Sequence, residues 1–134
     1  MPSIKEIEGI GQKFATILRK SGIRTTEALL KRAATKKGRL ELAVATGLDE
    51  KRILEWINRA DLMRCQGVGS EYSDLLEAAG VDTIKELRRR NPVSLTTKVV
   101  EINEKKRLVR RLPTESMVAG WIASAQTLQP MVKY

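Results

Sequence analysis

This chain repeats itself. Residues 7–30, IEGIGQKFATILRKSGIRTTEALL, align without a gap on residues 65–88, CQGVGSEYSDLLEAAGVDTIKELR. The offset is 67 − 9 = 58, so Gly9 falls on Gly67, Gly11 on Gly69 and Gly22 on Gly80. Apolar positions keep step: Ile10 with Val68, Leu18 with Leu76, Ile23 with Val81, and Phe14 with Tyr72. Three glycines held at fixed spacing inside a matching apolar pattern predict one supersecondary unit used twice. A second stretch pairs residues 49–60 with 114–125, placing Trp56 on Trp121 and Ala60 on Ala125. Its offset is 121 − 56 = 65, so the second copy is longer by 65 − 58 = 7 residues, assigned to the charged stretch Asn103–Arg111. The copies divide as residues 1–60 and 61–134, the second with a basic insertion and a C-terminal tail. No Pro/Gly/Ser linker separates them near Ala60–Asp61, which predicts that they pack into one body.

Every segment reads as helix. Ser3-Ile4-Lys5-Glu6 is a capping box, in which hydroxyl and carboxylate satisfy backbone amides reciprocally. Thr83-Ile84-Lys85-Glu86 has the same form, Thr25 or Thr26 caps the matching helix, and Asp61 stands 58 residues after Ser3 as a further cap. Phe14, Ile17, Leu18 and Ser21 share one helical face, and Gly22 then supplies a left-handed C-terminal turn, as Gly80 does in the other copy. Asn91-Pro92 stops a helix. Asp49 and Thr114 cap the helices bearing the tryptophans. No stretch alternates with turn signals, so no sheet is expected. The tail LQPMVKY is expected to be extended.

Composition narrows the chemistry. Lys and Arg number 25 against 16 Asp and Glu, giving +9, and such a surface suits a polyanion. Aromatics are only 4%, so few flat faces exist on which unpaired bases stack. With one cysteine and no histidine, neither an internal disulfide nor a Cys/His zinc site can form, and the usual general base is missing. The N-terminus lacks the form of a signal peptide, and no window carries the apolar run of a membrane helix. The expectation is a cytoplasmic chain, with the nucleoid as one location, and no membrane partner, cofactor, metal or small-molecule substrate.

Ile7-Glu8-Gly9-Ile10-Gly11 is followed by Lys13, Ala15 and Leu18, and Cys65-Gln66-Gly67-Val68-Gly69 by Glu71, Ser73 and Leu76. The first glycine permits a turn closed to other residues. The apolar residue anchors the hairpin, and the second glycine lets another backbone approach. The next helix presents free N–H groups to an anion. These segments resemble the helix-hairpin-helix family, whose pattern is apolar-x-Gly-apolar-Gly with a small residue four places on. The whole chain looks like a bacterial family of two-copy helix-hairpin-helix proteins catalogued as a domain of unknown function. The resemblance implies an all-α fold of two tandem units, each of four to five short helices, with a second, degenerate hairpin in each copy. Those are Ala45-Thr46-Gly47-Leu48-Asp49, followed by Lys51 and Arg52, and Arg110-Arg111-Leu112-Pro113-Thr114. It also implies sequence-nonspecific binding of nucleic acid, DNA more than RNA, through phosphate contacts.

Candidate contacts are Gly9, Ile10, Gly11, Gln12 and Lys13 in the first hairpin, and Gly47, Lys51 and Arg52 beside it. The second copy offers Gly67, Val68, Gly69 and Ser70, then Lys105, Lys106, Arg107, Arg110 and Arg111. Each hairpin is also readable as a tight turn alone; Lys13 favours phosphate contact at the first, and Glu71 and Asp74 weaken the second as a phosphate site. Arg88-Arg89-Arg90 fits either a helix-dipole role or a nucleic-acid role, and Lys31-Arg32 and Lys36-Lys37-Arg39, which flank a loop, fit either polyanion binding or an ordinary solvated surface. Trp56 and Trp121 are expected in the core, and Cys65 as a small buried group. A protein-interaction scaffold is the alternative function. Lyase chemistry needs a desolvated lysine beside an acid or base, and no lysine here has an apolar cage, so no enzyme is expected.

Overall fold

A computed structural model describes residues 2–134. The chain is all-helical, and among the described residues the β contacts reduce to one isolated bridge, Ser3 with Thr25. It forms two compact units, Met1–Asp61 with Met131–Tyr134, and Leu62–Pro130. No helix is long and apolar enough to cross a membrane among the described residues.

In the first unit a 3₁₀ turn, Ile4–Glu6, precedes α1 (Gln12–Lys20), α2 (Thr26–Ala33), α3 (Lys36–Thr46) and α4 (Glu50–Leu62). The Ser3 capping box forms as its sequence requires, with Glu6 accepting from the Ser3 amide at 2.9 Å. α1 ends where Gly22 takes φ +82°, with its N–H on Arg19 O and that of Ile23 on Leu18 O. Two carbonyls that would otherwise be orphaned are thereby satisfied. Thr25, Thr35 and Asp49 cap α2, α3 and α4. Ile4, Ile7, Ile10, Leu18, Leu29, Leu42, Ile53 and Trp56 are buried and form the core. Gly38 sits where any β-carbon would collide with the Arg32 carbonyl oxygen, so glycine there lets α3 start against the end of α2.

The second unit holds α5 (Ser70–Ala78), α6 (Ile84–Leu87), α7 (Pro92–Lys106) and α8 (Glu115–Gln126). α5 lies on α1 at the offset 70 − 12 = 58, and α8 starts at 115 − 50 = 65 residues after α4. Gly80 repeats the turn of Gly22, with φ +90° and the Val81 N–H on Leu76 O. α7 has 15 residues where α3 has 11, and the loop after it is also longer, while α7 starts 92 − 36 = 56 residues after α3, two fewer than the offset of 58. Arg107 closes α7 in the left-handed region, φ 48°, where Gly47 closes α3 at φ 74°. The Asn103 side chain holds this loop by bonds to both the N–H and the carbonyl of Val109.

Three local expectations are corrected. Asp61 stands inside α4, which runs to Leu62, and not ahead of a helix of its own; Leu62 is buried in the apolar cluster of the second unit. Thr83 makes no side-chain cap bond ahead of the four-residue α6. Asn91-Pro92 opens α7 rather than closing its predecessor. α6 has already ended at Leu87, Asn91 caps Val93 and Ser94, and Pro92 takes the first-turn position where its missing N–H costs nothing.

Candidate nucleic-acid interface

The two glycine hairpins have the same backbone. Ile10 N–H donates to Ile7 O at 3.1 Å across Gly9 at φ +94°, and Val68 N–H donates to Cys65 O at 3.1 Å across Gly67 at φ +89°. Only glycine enters this region without strain. Ile10 and Val68 point inward and are buried. Behind each turn stands a tryptophan: a β-carbon on Gly9 would lie 3.6 Å from Trp56 Nε1, and one on Gly67 3.1 Å from Trp121 Nε1. Each indole packs on the aromatic of its hairpin helix, Phe14 at 5.2 Å and Tyr72 at 5.0 Å between ring centroids.

Gly11 and Gly69 are the N-cap residues of α1 and α5. The expectation that they admit a neighbouring backbone is corrected. Their φ values are −85° and −99°, open to any residue, and a β-carbon on either would meet nothing within 4 Å. Neither conformation nor internal packing demands glycine there. The two helices also begin without a side-chain cap. Among the described residues, the other helices of eight or more residues start on Thr25, Thr35, Asp49, Asn91 or Thr114 accepting backbone N–H groups. The first turns of α1 and α5 therefore start on amides that no N-cap side chain accepts, next to glycines with open space beside them, and with the positive end of the helix dipole there. Gln12 and Lys13 are exposed at α1, and half-buried Ser70 and exposed Glu71 start α5.

In the first unit the candidate contacts converge further. Gly9, Lys51 and Arg52 line one cleft of about 410 Å³ with Asp49, Glu55, Trp56 and Arg59. Arg52 lies 4.8 Å over the Phe14 ring, and Arg59 donates to Glu8 O at 3.2 Å. Arg59 was not legible as a site residue, although Arg52, Glu55, Trp56 and Arg59 have the i, i+3, i+4, i+7 spacing of one helical face. Gly47 is exposed and serves as the C-cap of α3. The equivalent positions of the second unit are Ser116, Met117, Gly120 and Ser124, so that hairpin has no such group of cations. Its cations lie elsewhere: Lys105 and Lys106 are exposed in the last turn of α7, and Arg107, Arg110 and Arg111 are exposed on the loop beyond. Tyr72 Oη donates to Arg111 O at 3.0 Å, which ties that loop to α5.

In the other charge runs several cations are held by the fold, while Lys36, Lys37 and Arg89 are exposed. Arg39 is 1% exposed and donates to Ala33 O, Ala34 O and Lys133 O, besides pairing with Glu50 at 3.4 Å. It belongs to the interior and not to a basic surface. Arg88 donates to Gln126 O, and Arg90 donates to Gly80 O. Lys31 pairs with Glu27 one helical turn back. Cys65 is buried and donates to Trp121 O, and burial pushes its thiol above the usual range, which suppresses thiolate. Among the described residues no group of three or more His, Cys, Asp or Glu side chains is placed to hold a metal.

Residues 8–128 match the family model described as Domain of unknown function (DUF4332), and the chain belongs to that family. No curated protein and no solved structure matches it.

Proposed function

We propose that this DUF4332 member is a sequence-nonspecific nucleic-acid-binding protein, double-stranded DNA being its main ligand, built from tandem helix-hairpin-helix units. The supporting observation is the pair of uncapped helix starts at Gly11 and Gly69, each glycine facing open space that nothing inside the protein requires. A phosphate oxygen fits there, accepting from first-turn amides in the field of the helix dipole. Such contacts read the backbone and not the bases. The first hairpin is the stronger site because Lys13 adds charge beside the helix start, with Lys51 and Arg52 on the neighbouring helix. In the second, Glu71 opposes phosphate, and the exposed cations from Lys105 to Arg111 carry the electrostatic attraction instead. The alternative, a protein-docking role, is favoured by one feature, the apolar strip of Leu40 and Val44 on α3, Val44 being 87% exposed.

The test is the direction of two charge reversals. Lys13→Glu is expected to weaken duplex binding several-fold, and Glu71→Lys to strengthen it by a similar factor, as for exposed contacts at physiological salt. Both side chains are exposed, so both variants are expected to melt with the parent. Fluorescence anisotropy with a labelled duplex measures the change. Binding that ignores both reversals would reduce the hairpins to structural turns.

A further inference from the structure

The cleft beside the first hairpin contains a donor that the fold leaves unused. Trp56 is 1% exposed, yet its indole N–H has no acceptor among the described residues. The nitrogen atom itself is not sealed from solvent, so its acceptor comes from the cleft, as water or as a ligand oxygen. The nitrogen edge faces Gly9, and both residues line the cleft, so the missing glycine side chain leaves the N–H approachable from there. Lys51, Arg52 and Arg59 bring three positive charges to the lining, and Asp49 and Glu55 bring two negative ones. A net charge of 3 − 2 = +1 matches a singly charged phosphodiester better than a doubly charged phosphate monoester. The volume of about 410 Å³ accommodates a phosphate group with its flanking sugar atoms.

We infer that this cleft seats one backbone phosphodiester of the bound nucleic acid, with the Trp56 indole N–H as a direct donor and Arg52 and Lys51 supplying charge. The identity of the ligand rests on the nucleic-acid function proposed above; the anion site itself does not. The second unit provides an internal control. Trp121 presents the same indole edge to Gly67, but Ser116, Met117 and Ser124 stand where Lys51, Arg52 and Arg59 stand.

The two indole N–H resonances of the full chain, assigned with Trp56→Phe and Trp121→Phe, read the site directly. One probe is inorganic phosphate in mildly acidic buffer, where it is largely the monoanion, with sodium chloride at equal ionic strength as reference. The other is a short DNA duplex. Phosphate is expected to move the Trp56 resonance saturably and leave that of Trp121 in place. The duplex is expected to move Trp56 at far lower concentration. Arg52→Ala is expected to weaken both responses several-fold while the chain still melts cooperatively. Equal movement of both resonances, or of neither, would overturn the proposal. If the duplex binds by anisotropy while Trp56 stays still, the cleft assignment fails and the nucleic-acid function survives. If phosphate moves Trp56 but no duplex binds, the anion site stands and the nucleic-acid function fails.

Discussion

A chain carrying Lys13→Glu, Lys51→Glu and Arg52→Glu together is expected to bind duplex DNA about a hundredfold more weakly than the parent. All three side chains are exposed in the first unit: Lys13 in the first turn of α1, Lys51 and Arg52 in the first turn of α4. Each reversal replaces an attraction for phosphate with a repulsion, and roughly fivefold for each multiplies to that total. The fold is expected to survive with a modest loss, because Arg52→Glu also removes the stacking of the guanidinium on Phe14, a contact worth about 0.5–1 kcal/mol at an exposed site. Anisotropy titrations at fixed salt measure the binding, and circular dichroism melting measures the fold. Binding within a factor of two of the parent would move the nucleic-acid face away from the first unit, leaving Lys105 to Arg111 to carry it.

Arg39→Ala is expected to be the most damaging single substitution for stability, at about 3–5 kcal/mol. The guanidinium is buried and donates to three backbone carbonyls, at 3.2 Å to Ala33, 2.9 Å to Ala34 and 2.7 Å to Lys133, and it pairs with Glu50. Its removal leaves three acceptors and a partly shielded carboxylate without their donor, and an alanine cannot refill the space. It also loosens the C-terminal residues, which the Lys133 N–H on Ala34 O and the Tyr134 hydroxyl on Asn58 help to hold. Arg39→Lys is expected to rescue little, because one ammonium cannot reproduce a planar fork that reaches separated acceptors. Urea denaturation followed by Trp56 fluorescence in a Trp121→Phe background gives the value. A variant as stable as the parent but weaker on DNA would return Arg39 to the binding surface.

What the sequence made legible was whatever is local. Gly9, Gly22, Gly67 and Gly80 announce left-handed turns because no other residue adopts them cheaply, and all four take positive φ. The caps at Ser3, Thr25, Asp49 and Thr114 follow from hydroxyl or carboxylate groups placed one turn ahead of amides. Legibility fails where a side chain's partner is distant along the chain. Arg39 reads as one more cation in Lys36-Lys37-Arg39, and only the return of Lys133, 94 residues later, shows it as an interior clasp. Arg59 reads as an ordinary solvated position on α4 until its contact with Glu8, 51 residues earlier, places it at the hairpin. Thr83 has the same capping pattern as Ser3, yet its hydroxyl makes no cap bond. Gly11 and Gly69 read as places where another backbone comes close, whereas the space beside them is open.

The salt dependence of duplex binding tests the central claim most directly. A surface that neutralises roughly four to six phosphates releases the counterions condensed on them, so log affinity is expected to fall linearly with log salt at a slope near −4 to −5. The titration uses one labelled duplex of mixed sequence and a second of unrelated sequence, with equal slopes and affinities expected, because the contacts go to the backbone. An affinity that stays constant from low to physiological salt, or the absence of any duplex binding at low salt, would contradict the account.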